Sequence, residues 1–150
     1  MTWIAAGDDR EAIMRSLPTI GDHFAGLYQS FWQLPHIPPD TLELCRLRLA
    51  QLHSSDSDQA LEEQPIDPEK RANLRHWGKH QAFTSAERAC LAFTEVHAMD
   101  AQAITDDQAD AVKAHFGDVG LVALVQALGV FDGMIRLGLL WGLSTQARKK

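Results

Sequence analysis

The chain has 150 residues, 45% of them hydrophobic, and carries 20 Asp and Glu against 14 Lys and Arg, for a formal net charge of -6. A domain of this length buries roughly 70% of the surface its unfolded chain would expose, so one core over residues 1–150 suffices without a disulfide or metal staple. The acidic balance and the lack of an internal Lys/Arg cluster exclude a nucleic-acid partner, whose affinity would rest on basic side chains releasing counterions.

The first ten residues, Met1 to Arg10, lack the basic start and long apolar stretch of a secretion signal. Ile20, Phe24, Leu27, Tyr28, Phe31 and Leu34 then recur at helical spacing, which predicts a helix with that stripe as its buried face, ending at Pro35. Pro38 and Pro39 restart the chain, Pro39 suiting a first helical turn, and Leu42, Cys45, Leu49 and Leu52 make the next stripe. Ser54 to Pro65 is polar and reads as a surface turn with a short helix. Asp67 followed by Pro68 is an N-cap signal that opens a helix to about Trp77. Thr84 with Glu87 and Thr105 with Gln108 are capping boxes, and Gly117 with Asp118 closes one helix and starts another.

From Asp118 to about Leu143 the pattern is apolar on nearly every side, so that this helix is expected to be central, to lie in a subunit interface, or both. Asp132 and Arg136 interrupt it, leaving no charge-free apolar run of about 20 residues for a membrane span. Arg148 to Lys150 reads as a solvated tail. Nothing alternates as a strand does, and the expectation is an all-α bundle of about six or seven helices, a cytoplasmic homo-oligomer without membrane contact.

Several residues in this pattern can carry chemistry. Glu43 has Arg46, Leu47 and Ala50 as helix-surface neighbours, which fits either a partly buried general acid/base or a structural ion pair with Arg46 or Arg48. Ser55 with His53 would be a nucleophile and base, but residues two apart in a turn seldom face each other. Ser55 to Asp58 is better explained as hydroxyls and carboxylates capping a helix start. His76 and His80 have metal-compatible spacing but no third ligand, so no metal and no cofactor is expected. Asp132 and Arg136, four apart, form a salt bridge or contact a ligand. Cys45 and Cys90 fall inside predicted helices as small core hydrophobes, and a residual thiol activity would have to use them.

Glu43 to Leu52 reads Glu-Leu-Cys-Arg-Leu-Arg-Leu-Ala-Gln-Leu and runs into His53, Ser54, Ser55, Asp56, Ser57 and Asp58. This segment resembles the carboxymuconolactone decarboxylase and alkylhydroperoxidase D-like (AhpD-like) superfamily, where a helix Glu-Leu-x-Arg-Leu-Arg-x-Ala-x-Leu leads into Asn-Gly-Cys-x-x-Cys. The likeness extends to Gly26 through Trp32, to Ile37 through Glu43, to Trp77, and to Phe83 through Glu95 with its Phe-Thr-x-x-Glu-Arg-Ala start. It continues through Ile104 to Asp107, His115 with Phe116, and Arg136 with Leu137. The resemblance implies an AhpD-like helical bundle that assembles from several copies. It places Ser55 and Asp58 at the two redox cysteines, and Ser57 and Glu62 at two relay histidines, so thiol peroxidase chemistry is not expected.

Glu43, twelve positions before Ser55, matches the relay glutamate of the redox members. The implied function is binding, or a lyase or isomerase reaction, of a small acid or lactone in an interior pocket lined by Glu43, Arg136 and His53. Arg46, Arg48 or Arg136 would draw the acid. The competing expectation is a non-catalytic oligomeric interaction protein whose pocket has filled with side chains. An open cavity at Glu43 separates the two.

Overall fold

The structure is a computed structural model that describes Ile4 and residues 9–143. The expectations for the leader-free start and for the tail from Arg148 to Lys150 fall largely or wholly outside these residues. Among the described residues seven α-helices follow in order: α1 Arg10–Met14, α2 Pro18–Phe31, α3 Pro39–Leu52, α4 Asp56–Ala60, α5 Pro68–Ala72, α6 Ser85–Met99 and α7 Asp106–Leu140. Short 3-10 helices cover Leu74–Lys79 and Ala101–Ala103, and no strand occurs among the described residues. The fold is all-α.

The helix starts are where the cap chemistry puts them. Asp9 accepts from the Ala12 amide at 2.8 Å, Asp67 from Glu69 at 2.8 Å, and both Thr84 and Thr105 form complete capping boxes. Pro18 and Pro39 occupy the first turns of α2 and α3, where a missing N–H costs nothing.

The centre of the bundle is α3. Thr41 through Leu47, Leu49 and Ala50 are all buried, against α6 on one side and α7 on another. The last helix is not fully covered within the single chain: Val119, Val122, Val125 and Leu140 are 57%, 53%, 43% and 55% exposed. The α7 helix has the length and, over its best window, the mean hydropathy (1.6) of a membrane span, yet 44% of that window is buried within the chain, as in a core helix. It is also broken. Gly117 sits at φ 73°, ψ -179°, a region open essentially to glycine alone, and divides α7 into limbs 106–116 and 118–140, as the Gly-Asp signal predicts.

Two expectations are corrected. The buried side of α2 is Gly21, Tyr28 and Phe31, while Ile20 and Leu27, 62% and 43% exposed, face outward. Aromatic packing selects that side. Tyr28, Phe31 and Trp32 all contact Phe131 of α7, Trp32 stacking on it at 5.1 Å, and Gly21 allows approach to α1, since a Cβ there would lie 2.9 Å from the Met14 carbonyl oxygen. The helix opened by Asp67 stops at Ala72 rather than near Trp77. His76, at φ -119°, interrupts the 3-10 segment that follows, so His76 and His80 do not share a helix face.

Candidate functional site

Glu43 and Arg46 project from α3 into the space covered by the polar 54–65 segment, and they find each other there. Arg46 donates from Nε to Glu43 Oε1 at 2.6 Å and from Nη2 to Oε2 at 3.1 Å, with both side chains essentially inaccessible. Each group also bonds to backbone. Arg46 Nη1 donates to the Asp58 carbonyl at 3.0 Å and Nη2 to that of Leu61 at 2.7 Å, while Glu43 Oε2 accepts from the amides of Glu63 at 2.8 Å and Gln64 at 3.3 Å. Burial alone would destabilise the guanidinium's charge, but the Glu43 hydrogen bonds and charge outweigh it and hold Arg46 above its ordinary value. The pair fastens the 58–64 backbone to the central helix, and neither side chain is accessible to a substrate.

Next to it lie the two positions of the resembled redox pair. After α3 the chain turns through Ser54, at φ 56°, so that Ser55 becomes the N-cap of α4. Its hydroxyl donates to Asp58 Oδ2 at 2.7 Å and accepts from the Asp58 amide at 3.4 Å, and both side chains are buried. The Asp58 charge is answered by Arg10 of α1, whose Nη2 lies 2.9 Å from Oδ1 and whose Nη1 lies 3.3 Å from Oδ2. Arg10 Nη1 also donates to the Met134 carbonyl of α7 at 2.8 Å. Gly138 makes that reach compatible with the helix, because a Cβ there would stand 3.3 Å from Arg10 Nη1 and 3.9 Å from Asp58 Oδ2.

His53, at the end of α3, turns the other way. Its Nε2 is 2.5 Å from Asp132 Oδ1, and Arg136 Nε donates to Oδ2 of the same carboxylate at 2.7 Å. Burial pushes the Asp132 carboxyl up, but the Arg136 and His53 hydrogen bonds and charges prevail and hold it below its ordinary value. Arg136 is more than half exposed, its side chain standing at 56%, so this cluster lies at the outer edge of α7 rather than in the bundle interior, which the resemblance implied. His53 and Ser55 are engaged with different partners and form no nucleophile–base pair.

The other candidates are structural in this arrangement. Arg48 donates to Glu95 at 2.7 Å and to Gln51 at 2.9 Å, and Trp77 Nε1 donates to the same Glu95 oxygen at 3.1 Å, tying α3 to α6. Cys45 and Cys90 are fully buried and free, and burial pushes the Cys45 thiol up to about 12 and Cys90 higher still. His80 accepts from the Ala82 amide at 3.2 Å, and no group of three metal-ligating side chains occurs among the described residues.

A half-open cavity of about 490 Å³ lies between α1, α2 and the 61–63 segment, with Met134 of α7 at one end. Its polar lining includes Asp9, Arg10, Glu11, Arg15, Asp22, Tyr28 and Glu63, and its apolar walls include Met14, Phe24, Leu61 and Met134. Neither Glu43, His53, Arg46 nor Arg136 lines it; the cavity stands over the Arg10–Asp58–Ser55 cluster instead. Burial and the neighbouring Glu63 carboxylate push the Tyr28 hydroxyl well above its usual range.

Arg10, Tyr28 and Glu63 therefore belong to the cavity without having been singled out by sequence. Tyr28 carried only a helical-stripe signal, and nothing local announces that Arg10 meets residues 48 and 124 positions away. The chain matches no protein-family model and no curated protein.

Proposed function

We propose that this chain is a cofactor-independent, redox-inactive member of the carboxymuconolactone decarboxylase and alkylhydroperoxidase D-like superfamily that binds a small molecule. Self-association through the outer face of α7 is part of the proposal. The observation that carries the binding reading is the half-open 490 Å³ cavity lined by Arg10, whose guanidinium is bonded to Asp58, which in turn accepts from Ser55. Catalysis by Glu43 is not part of the reading, because its carboxylate is closed by Arg46 and two backbone amides. Arg46, Arg48 and Arg136, the cations expected to draw an acid, are each engaged by a carboxylate.

A neutral probe tests occupancy independently of charge. Hexan-1-ol should bind the wild type, as read by calorimetry, and lose at least about tenfold in affinity in Ala25→Trp, which places an indole into the cavity from an exposed position. Binding that is absent, or untouched by Ala25→Trp, would favour the non-catalytic interaction protein.

A second reading rests on the 2.5 Å contact between His53 and Asp132. A carboxylate that orients an imidazole is the pairing needed for proton transfer in a lyase or isomerase reaction. It predicts that His53→Gln removes a turnover that Glu43→Gln leaves in the folded fraction.

A further inference from the structure

The cavity over Arg10 has a charge balance opposite to the one an acidic ligand requires. Four carboxylates line it, from Asp9, Glu11, Asp22 and Glu63, against two guanidiniums. Both guanidiniums are already engaged: Arg10 by Asp58 and the Met134 carbonyl, Arg15 by Glu11 at 3.5 Å. Asp9 caps α1 through the Ala12 amide. That leaves Asp22, whose carboxylate makes no ion pair or hydrogen bond among the described residues, and Glu63, whose carboxylate meets only the Tyr28 hydroxyl in the cavity lining.

The floor reports the same sign. Tyr28 is 7% exposed and lines the cavity, and at its hydroxyl Glu63 exerts the largest single charge effect, ahead of Arg46 and of Arg10, which act in the opposite direction. Around these groups the walls are apolar, with Met14, Phe24 and Leu61 on three elements. A thioether, a ring and a branched chain adapt to an aliphatic or aromatic body, whereas a small hydrated metal ion would leave them uncovered.

We propose that the cavity is a site for an organic ammonium with an apolar tail, its cationic head held between Glu63 and Asp22 and its tail lying on Met14, Phe24 and Leu61. The inference rests on the binding reading above and specifies its ligand. A charge-assisted hydrogen bond to a half-buried carboxylate is stronger than a neutral one, and an anionic head in the same place would face two carboxylates of like charge.

Three probes of equal length separate the site from its specificity: hexylammonium, hexan-1-ol and hexanoate, titrated calorimetrically into the full chain at pH 7. Hexylammonium should bind roughly tenfold more tightly than hexan-1-ol, and hexanoate more weakly than either. Glu63→Gln and Asp22→Asn keep the shape of the lining and should each bring hexylammonium down toward hexan-1-ol, with a smaller change for hexan-1-ol itself. Raising the salt concentration should weaken only hexylammonium. Equal affinity for all three, or a preference for hexanoate, overturns the ammonium assignment while leaving the cavity as a binding site. Failure of all three, in wild type that is folded by circular dichroism, overturns both readings.

Discussion

At the scale of single residues, the balance between desolvation and pairing decides what each polar group can do. Glu43 and Arg46 lose water on entering the bundle, and their mutual hydrogen bonds compensate only while both remain. Glu43→Gln leaves a buried guanidinium with one acceptor in place of a carboxylate, so it should lower unfolding free energy by about 3 kcal/mol, read by urea denaturation, with hexan-1-ol binding to the folded fraction unchanged. A neutral effect on stability would show that the pair is replaceable.

The cysteines obey the same balance, and at Cys45 the hydrogen bond with Thr94 is outweighed by burial. With Cys45 pushed up to about 12 by burial, its thiolate fraction at pH 7 is on the order of 10⁻⁵. Cys45 and Cys90 should both resist a soluble disulfide reagent in the native protein and react together once it is unfolded, and hydroperoxide turnover with a dithiol should stay at background. Turnover abolished by Cys45→Ser or Cys90→Ser would reinstate a thiol mechanism.

At the scale of helices, local chemistry was legible and facing was not. Capping at Thr84 and Thr105 and the break at Gly117 are written in adjacent residues, and the structure follows them. The outward turn of Ile20 and Leu27 could not be read the same way. Tyr28 and Phe31 share the periodicity of that stripe, and only the position of Phe131, a hundred residues on, selects between the two sides. For the same reason the ion pair at Glu43 was foreseen as one alternative, its partner being three residues away, whereas Arg10 beneath the cavity was not.

The contact of α3 with α7 through His53 and Asp132 has a testable acid dependence. The Asp132 carboxyl is held below its ordinary 3.8 in the folded chain, so as pH falls the unfolded chain takes up this proton first. The stabilisation is therefore complete above pH about 4 and is lost as pH drops through the lower folded value. Thermal melts of Asp132→Asn should show a shallower loss of stability below pH about 4 than the wild type. Parallel acid limbs would show that Asp132 contributes no linkage.

At the scale of the whole molecule, the α7 face is the feature a lone chain leaves unresolved in energy. Val119, Val122, Val125 and Leu140 follow one another at spacings that keep them on one side, and each is about half exposed. A second copy covering this face would bury them at once, consistent with the proposed homo-oligomer. Val122→Glu should then shift the species seen by light scattering to a single chain at micromolar concentration, with helical content retained. A wild type already monomeric at that concentration would remove the oligomer from the proposal.

The Ser55–Asp58–Arg10 cluster has one more consequence. A pair of thiols at positions 55 and 58 would give α4 two covalent states and make its attachment to α1 a function of the cell's reduction potential. A hydroxyl, a carboxylate and a guanidinium have no such couple. Glutathione, peroxide and dithiol leave this junction alike, because none of its bonds is made or broken by electron transfer. In a compartment whose redox poise swings, the floor of the cavity would keep one shape throughout.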